Sequence, residues 1–330
     1  MRLLLLLCCL LPFTAQAATT LKLSTLYPEG TSVVKRIKEA GATIAERTDG
    51  RVKLKIYPGG TMGDDQAVQR KIRVGQLHGA LAQGGAFARQ YKDSQVYNLP
   101  MVFESYEEVD YVRKHLDPVL REGFREAGWV TFGFIDGGFA YLMSNEPVRT
   151  VEQVRKQKVW LPANDPFSAT LAEELDVSPI QLNIGNVLTS LQTGAINAFV
   201  SPPVAALTLQ WHSRVTHLTD MPLMYTYGML AIHEKYFSRL SESDQQIVQG
   251  VLEKALDELD DQSRKDNREA YKAVLNQNVE AVEPVDKERR KWKKYADRTT
   301  ELLIEQGEVS RSLYERMREL LEEYRAGSAQ

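Results

Sequence analysis

The sequence predicts an α/β protein made of two domains. Between residues 21 and 82, alternating strands and amphipathic helices follow one another, which is typical of a sheet whose ligand loops lie at the carboxyl ends of its strands. A second alternating set begins near residue 129 and ends in a helix-to-strand unit at residues 178–203. The chain has 330 residues, which is long enough for two domains of ordinary size.

The first set reads as strand, helix, strand, helix and strand. Its strands are expected at residues 21–25, 51–57 and 79–82. Thr31 or Ser32 supplies an N-cap for the first helix. The apolar positions of that helix have the spacing of one buried face: Val34, Ile37, Ala40 or Gly41, and Ile44. Asp64 or Asp65 opens the second helix, which is expected to run through Val74.

The second set is closed by the unit at residues 178–203. Strands are expected at residues 129–135, 141–143 and 158–161, and helices at 151–155 and 167–175. Within the closing unit, an extended segment leads into a helix that stops at Gly194, a residue type common in the left-handed position after a helix. The strand that follows ends at Ser201, because Pro202 and Pro203 cannot donate ladder hydrogen bonds.

A long charged helix is expected at residues 244–274. Its apolar residues recur at helical spacing, and a C-terminal segment repeats the pattern with Leu313, Met317, Leu320, Leu321 and Tyr324. Such a stripe normally packs on the protein's own core. A partner-binding or membrane-surface helix is the alternative, which is less favoured because acids and bases are mixed on the polar face.

The first seventeen residues are predicted to be a signal peptide. Arg2 supplies a positive charge, residues 3–11 are an apolar run too short to span a bilayer, and Ala15-Gln16-Ala17 matches a cleavage site. Both cysteines, Cys8 and Cys9, lie in this segment, so a chain cleaved after Ala17 has no disulfide. The expected location is the periplasm.

Charge and motifs argue against nucleic-acid binding and catalysis. The formal net charge is −3, so the chain as a whole lacks the basic character expected of a nucleic-acid-binding protein. His233-Glu234 lacks the second histidine of a zinc-protease motif, and no nucleophile elbow, phosphate loop or dinucleotide fingerprint is present. The five histidines are scattered, and the adjacent Asp64 and Asp65 are better explained as helix-capping residues than as metal ligands. We therefore expect no enzyme activity, metal or cofactor.

Several short motifs together resemble the DctP-like family, the solute-binding proteins of TRAP transporters. The motifs, in the order of that family, are Tyr57-Pro58 with Met62-Gly63-Asp64-Asp65, Val74-Gly75-Gln76-Leu77, Asn98-Leu99-Pro100-Met101-Val102-Phe103, Glu152-Gln153-Val154 with Lys158-Val159, and Leu191-Gln192-Thr193-Gly194. The likeness covers nearly the whole chain after residue 17.

The resemblance implies two α/β domains joined by crossing strands and a long helix, closing on a ligand like a flytrap. The boundaries expected on this basis are residues 18–137 with 226–265 for domain I, and residues 138–225 with 266–330 for domain II. It also implies delivery of the ligand to a TRAP membrane permease driven by an ion gradient. An additional periplasmic protein is a further candidate partner.

The family's ligand-binding polar residues are replaced in this sequence. Trp160 and Ala140 stand where relatives carry arginines, and Ser201 stands where they carry an asparagine. Ile184 stands where the family often has a phenylalanine. Gln83 stands where a polar or acidic residue of the family's first domain approaches the ligand. An indole offers one N–H donor and a flat apolar face instead of a bidentate cation. The predicted ligand is therefore largely apolar or aromatic.

The remaining candidate ligand residues are aromatic: Tyr27, Phe139, Phe199 and Tyr227. Tyr27 follows the first strand, and the alternative is a loop tyrosine resting on the next helix. Phe199 could equally fill the space between layers, and without the family register Trp160 would be assigned to the core. Of Tyr225 and Tyr227, one is expected to face the cleft and the other the core, with Tyr227 nearer the ligand position.

Two other functions remain open at this point. One is a flytrap sensor that presents its ligand to a membrane receptor. The other is a periplasmic enzyme on a binding-protein scaffold, which would need a nucleophile, base or metal that the sequence does not offer.

Overall fold

The computed structural model describes residues 18–163 and 165–328, so the predicted signal peptide lies outside the described residues. The strands are β1 (Thr19–Thr25), β2 (Val52–Tyr57), β3 (Gly79–Gln83), β4 (Trp129–Ser144), β5 (Val159–Pro162), β6 (Ile180–Leu182), β7 (Ala198–Ser201), β8 (His217–Thr219), β9 (Met224–His233) and β10 (Glu280–Val282). The helices are α1 (Ser32–Arg47), α2 (Asp65–Arg73), α3 (Tyr106–Glu126), α4 (Val151–Val154), α5 (Pro166–Glu174), α6 (Val187–Gln192), α7 (Pro203–Thr208), α8 (Glu234–Phe237), α9 (Glu242–Leu275), α10 (Asp286–Glu305) and α11 (Arg311–Ser328). Short 3₁₀ helices lie at Gly84–Phe87, Lys92–Asn98, Ile184–Asn186 and Trp211–Arg214.

One strand, β4, belongs to two halves of the sheet. The strand order is β2-β1-β3-β9-β4-β7-β5-β6, with β8 also paired to β4 and β10 to β8. From Trp129 to Ala140, β4 pairs with β9, and from Tyr141 to Ser144 it pairs with β7. We call the half containing β1, β2, β3 and β9 the first lobe and the half containing β5, β6, β7, β8 and β10 the second lobe. The α/β architecture of two lobes joined by crossing strands is as predicted.

A bulge interrupts β4 where it passes between the lobes. The sequence predicted two strands here, but the ladder with β9 continues after a register shift between Asp136 and Gly138. Gly138 has a φ of 85°, and a Cβ at Gly137 would lie 2.5 Å from the Thr226 side chain. Only glycine satisfies both restrictions, and it keeps the two segments in one continuous strand.

Helix α9 is the long connecting helix. It spans 34 residues, or roughly 50 Å at 1.5 Å per residue, and packs on β4, on α1 of the first lobe and on α7 of the second. Its predicted apolar face is buried, including Val248, Leu252 and Leu256.

The C-terminal helix corrects the predicted domain boundaries. Leu313, Met317, Leu320 and Leu321 of α11 are buried as predicted, but they belong to the core cluster of the first lobe, where α11 packs on α3. In contrast, α10 packs on α4 and α5 of the second lobe. Residues 266–330 are therefore divided between the lobes, because α10 packs on the second lobe and α11 packs on the first.

Helix α3 is the largest element that the sequence analysis did not identify. The Ser105 hydroxyl accepts a hydrogen bond from the Glu108 N–H at 3.2 Å, and this Ser-x-x-Glu pattern is a capping-box signature. Its buried apolar residues, spaced three or four apart, are Val109, Val112, Leu116, Leu120 and Phe124. Both signals were readable in the sequence.

Within the described residues, no helix combines the length and apolar character required to cross a membrane.

Candidate functional site

Strand directions bring the loops of the two lobes face to face. In the first lobe, β1 and β3 are parallel, β9 is antiparallel to β3, and β4 is antiparallel to β9, so β4 runs in the direction of β1. In the second lobe, β7 is antiparallel to β4, and β5 and β6 follow β7. The carboxyl ends of β1 and β3 therefore point toward those of β5, β6 and β7 across the middle of β4. This is where open α/β sheets place ligands.

Tyr27 and Gln83 lie on the first-lobe side of this cleft. Gln83 ends β3 and is exposed. Tyr27 is half-buried, and its hydroxyl lies 3.4 Å from the position that a Cβ would take at Gly228. Burial, with a smaller contribution from Asp136, raises the pKa of Tyr27 to about 12, so its hydroxyl is a neutral hydrogen-bonding group.

The two tyrosines of β9 contradict the expectation that one faces the cleft and the other the core. Residues two apart on a strand point to the same face, and both rings are buried on that face. The Tyr227 hydroxyl donates to the Ser94 carbonyl, and its ring packs edge-on against Tyr97 and Phe134. Tyr227 is therefore a core residue in this structure.

Phe139 is also packed into the first-lobe core. Its ring centroid lies 5.0 Å from that of Tyr106 and 5.7 Å from that of Tyr225. Ala140, the position that carries an arginine in the family resemblance, is buried with an exposed fraction of 2%.

Three aromatic rings form the second-lobe wall behind the cleft. The indole N–H of Trp160 donates to the Leu182 carbonyl at 2.9 Å, and 6% of the residue is exposed. Trp211 packs edge-on against both Trp160 and Phe199, with centroids 5.1 and 5.3 Å away. Trp211 was not identified from the sequence, because it comes from a 3₁₀ turn rather than from a strand end.

Ser201, at the end of β7, is buried, whereas Ile184, after β6, is exposed. Ser201 ends β7, is buried, and donates its hydroxyl to the Pro202 carbonyl at 3.1 Å. Ile184 follows β6 and is 39% exposed, which is unusual for a large apolar side chain in this protein. Of the eight predicted residues, Tyr27, Gln83 and Ile184 are accessible, and Phe139, Trp160, Phe199, Ser201 and Tyr227 are buried.

Seven segments at the strand ends around the cleft contain no positively charged residue. No lysine, arginine or histidine occurs in residues 25–31, 57–65, 83–88, 161–169, 182–190, 201–208 or 221–228. The loops therefore offer a carboxylate only backbone N–H groups, hydroxyls and amides, which form weaker hydrogen bonds to it than guanidinium does.

Two arginines behind the cleft, Arg264 and Arg113, are paired with carboxylates. Arg264 of α9 and the Tyr225 hydroxyl both donate to the buried Asp136 carboxylate at 3.2 Å. Arg113 of α3 donates to Asp260 at 2.9 Å. Burial raises the pKa of Asp136, and Arg264 partly offsets that rise.

The helix α9 also fixes the bulge of β4. Asn267 donates to Asp136 at 3.3 Å, and a Cβ at Gly138 would lie 2.5 Å from the Asn267 amide. Asp136, Arg264 and Asn267 therefore join the crossing strand to the long helix at the point where the lobes meet.

Among residues 18–163 and 165–328, no group of three or more histidine, cysteine, aspartate or glutamate residues is placed to hold a metal ion.

Comparisons with known proteins agree with this architecture. The sialic acid-binding periplasmic protein SiaP of Vibrio cholerae is 24% identical over 249 residues, which cover 74% of this chain and 76% of that protein. A TRAP periplasmic solute-binding protein from Ralstonia eutropha, solved with (S)-2-acetolactate, has a TM-score of 0.84 at 16% identity and covers 92% of this chain and 99% of its own. One from Chromohalobacter salexigens, solved with D-glucuronate, has a TM-score of 0.83 at 18% identity and covers 91% and 99%.

The family model for bacterial extracellular solute-binding proteins of family 7, DctP, matches residues 23–306. That family consists of binding proteins rather than enzymes, and its members serve TRAP transporters. A match of this extent, together with the shared two-lobed fold, shows that this chain belongs to the DctP family of TRAP solute-binding proteins.

Proposed function

We propose that this protein captures a small, largely apolar or aromatic ligand in the cleft between its lobes and delivers it to a TRAP membrane permease. The observation that carries the proposal is the absence of lysine, arginine and histidine from the seven segments around the cleft. The known ligands of the structural relatives named above are carboxylates, so the proposal concerns a difference within the family.

The proposed contacts divide into accessible and supporting residues. Tyr27, Gln83 and Ile184 would touch the ligand, since their side chains reach solvent on opposite sides of the cleft. The supporting residues, which would shape the walls, are Phe139, Trp160, Phe199, Ser201 and Tyr227. A charge-assisted hydrogen bond contributes roughly 1.5–3 kcal/mol. Its loss would weaken carboxylate binding by about one to two orders of magnitude.

Isothermal titration with a panel of compounds tests the proposal. Succinate and malate should bind poorly, and aromatic or hydrocarbon-rich compounds should bind more tightly. Replacing Ile184 with Lys should weaken binding of the best apolar compound. The matched control is Val74→Lys, because Val74 is 70% exposed at the C-cap of α2 and lies outside the cleft segments. Tight succinate binding would contradict the proposed ligand class.

Export with cleavage after Ala17 and an additional periplasmic partner also remain predictions. N-terminal sequencing of protein recovered from the periplasm checks the cleavage site. Mature protein that begins elsewhere, or that retains Cys8 and Cys9, would contradict it.

A further inference from the structure

Four exposed cations form one stripe along α10. They are Lys287, Arg290, Lys294 and Arg298, and we call this set the basic stripe. Their spacing of three, four and four residues places them on one face of the helix, over about 16 Å. The opposite face is buried in the protein and includes Trp292, Ala296 and Leu303.

The cations of the basic stripe have no acidic partner within the described part of the chain. The neighbouring Lys291 pairs with Glu152 of α4, and Lys293 pairs with Asp297. The next acidic residue along the face, Glu301, is bound to Arg311 at 3.0 Å. Like charges four residues apart destabilise a helix, so this arrangement does not serve the stability of α10.

The chemistry of this face fits a planar anionic surface better than a folded protein partner. Protein interfaces derive most of their affinity from a few buried tryptophan, tyrosine and arginine residues in well-packed pockets. Among the described residues, the large apolar side chain exposed at this end of α10 is Val285, its N-cap residue, and the stripe has no exposed aromatic side chain beside it. A lipid headgroup layer requires no anchor, because each lysine or arginine near an anionic surface contributes independently.

We propose that the basic stripe holds the second lobe against the anionic phospholipid surface of a membrane. This inference goes beyond ligand capture and does not depend on the ligand class. Weak attachment of this kind would concentrate the protein near a membrane-embedded transporter without fixing its orientation to one protein partner.

Co-sedimentation of the full chain with vesicles tests the proposal. The probes are phosphatidylcholine vesicles with and without one-third phosphatidylglycerol, at low ionic strength and in about 0.5 M NaCl, where charge interactions are screened. Binding should require phosphatidylglycerol and disappear in high salt. Each cation near the surface is expected to contribute about fivefold. The variant with Lys287, Arg290, Lys294 and Arg298 all replaced by Gln should therefore bind at least about tenfold more weakly.

A second quadruple variant separates the stripe from overall charge. It replaces Lys35, Lys53, Arg73 and Lys114 with Gln. All four are exposed on the first lobe, and none has an ion pair among residues 18–163 and 165–328. Because all variants share the same N-terminus and the two quadruple variants have the same charge, a selective loss for the stripe variant supports the proposal. Equal losses in both variants would overturn it. Binding to polyglutamate without binding to vesicles would also overturn it, since the stripe would then fit an acidic protein.

Discussion

The crossing region of β4 and the loops around the cleft differ in how they use charge. Behind the cleft, Arg264 and Asp136 are paired at 3.2 Å and join the bulge of β4 to the long helix. Around the cleft, seven segments contain no cation at all. The difference indicates that buried charge joins the two lobes, and the proposed ligand class follows from cleft segments that lack cations.

The largest expected effect comes from breaking the buried pair. Within the described residues, Asp136→Ala leaves Asp110 as the remaining carboxylate partner of Arg264. It should lower the free energy of unfolding by about 3 kcal/mol. Urea denaturation followed by circular dichroism measures this. The control is Glu29→Ala, which breaks an exposed pair with Lys38 in the first cleft loop and should cost less than about 1 kcal/mol. Equal costs would show that the crossing region does not depend on its charges.

An intermediate effect is expected at Trp160, the residue predicted to stand where relatives carry an arginine. Trp160→Phe leaves the Leu182 carbonyl without its donor and creates a small cavity, so it should cost about 1–3 kcal/mol. Trp292→Phe is the matched control, because Trp292 is also buried but its indole N–H has no hydrogen-bond partner. Its cost in urea denaturation should be smaller. A larger cost for Trp292→Phe would argue against a fixed cleft wall at Trp160.

The smallest effect is expected from the carboxylate of Asp65. Burial, and secondarily Asp64, raises the pKa of Asp65 to about 6 from 3.8. The folded state therefore binds the proton more tightly than the unfolded state, and stability contributed by this group is present below about pH 4 and is lost as pH rises toward 6. Asp65→Asn should increase the free energy of unfolding at pH 7 by about 1–2 kcal/mol and leave it unchanged near pH 4. Thermal unfolding at the two pH values checks this, and a similar gain at both would exclude charge as the cause.

Several local elements of the fold could be predicted from the sequence alone. Periodicity and caps placed α1, with Thr31 as its N-cap, and the long helix α9 to within a residue or two, since these signals are local. That Trp160 and Ala140 stand where relatives carry arginines stays a prediction from the register of short motifs. The first-lobe location predicted for Gln83, at the end of β3, also agrees with the structure.

The accessibility of individual side chains, and the return of the chain to the first lobe at α11, depend on tertiary contacts that the sequence pattern does not specify. Tyr227 and Phe199 have the same aromatic character as Tyr27, but they are buried because helices and 3₁₀ segments from distant parts of the chain cover them. The apolar pattern of α11 does not specify which lobe it packs on. Its contacts with α3 assign it to the first lobe. Periodicity specifies that a face is buried, whereas the partner that buries it is set by contacts between residues far apart in sequence.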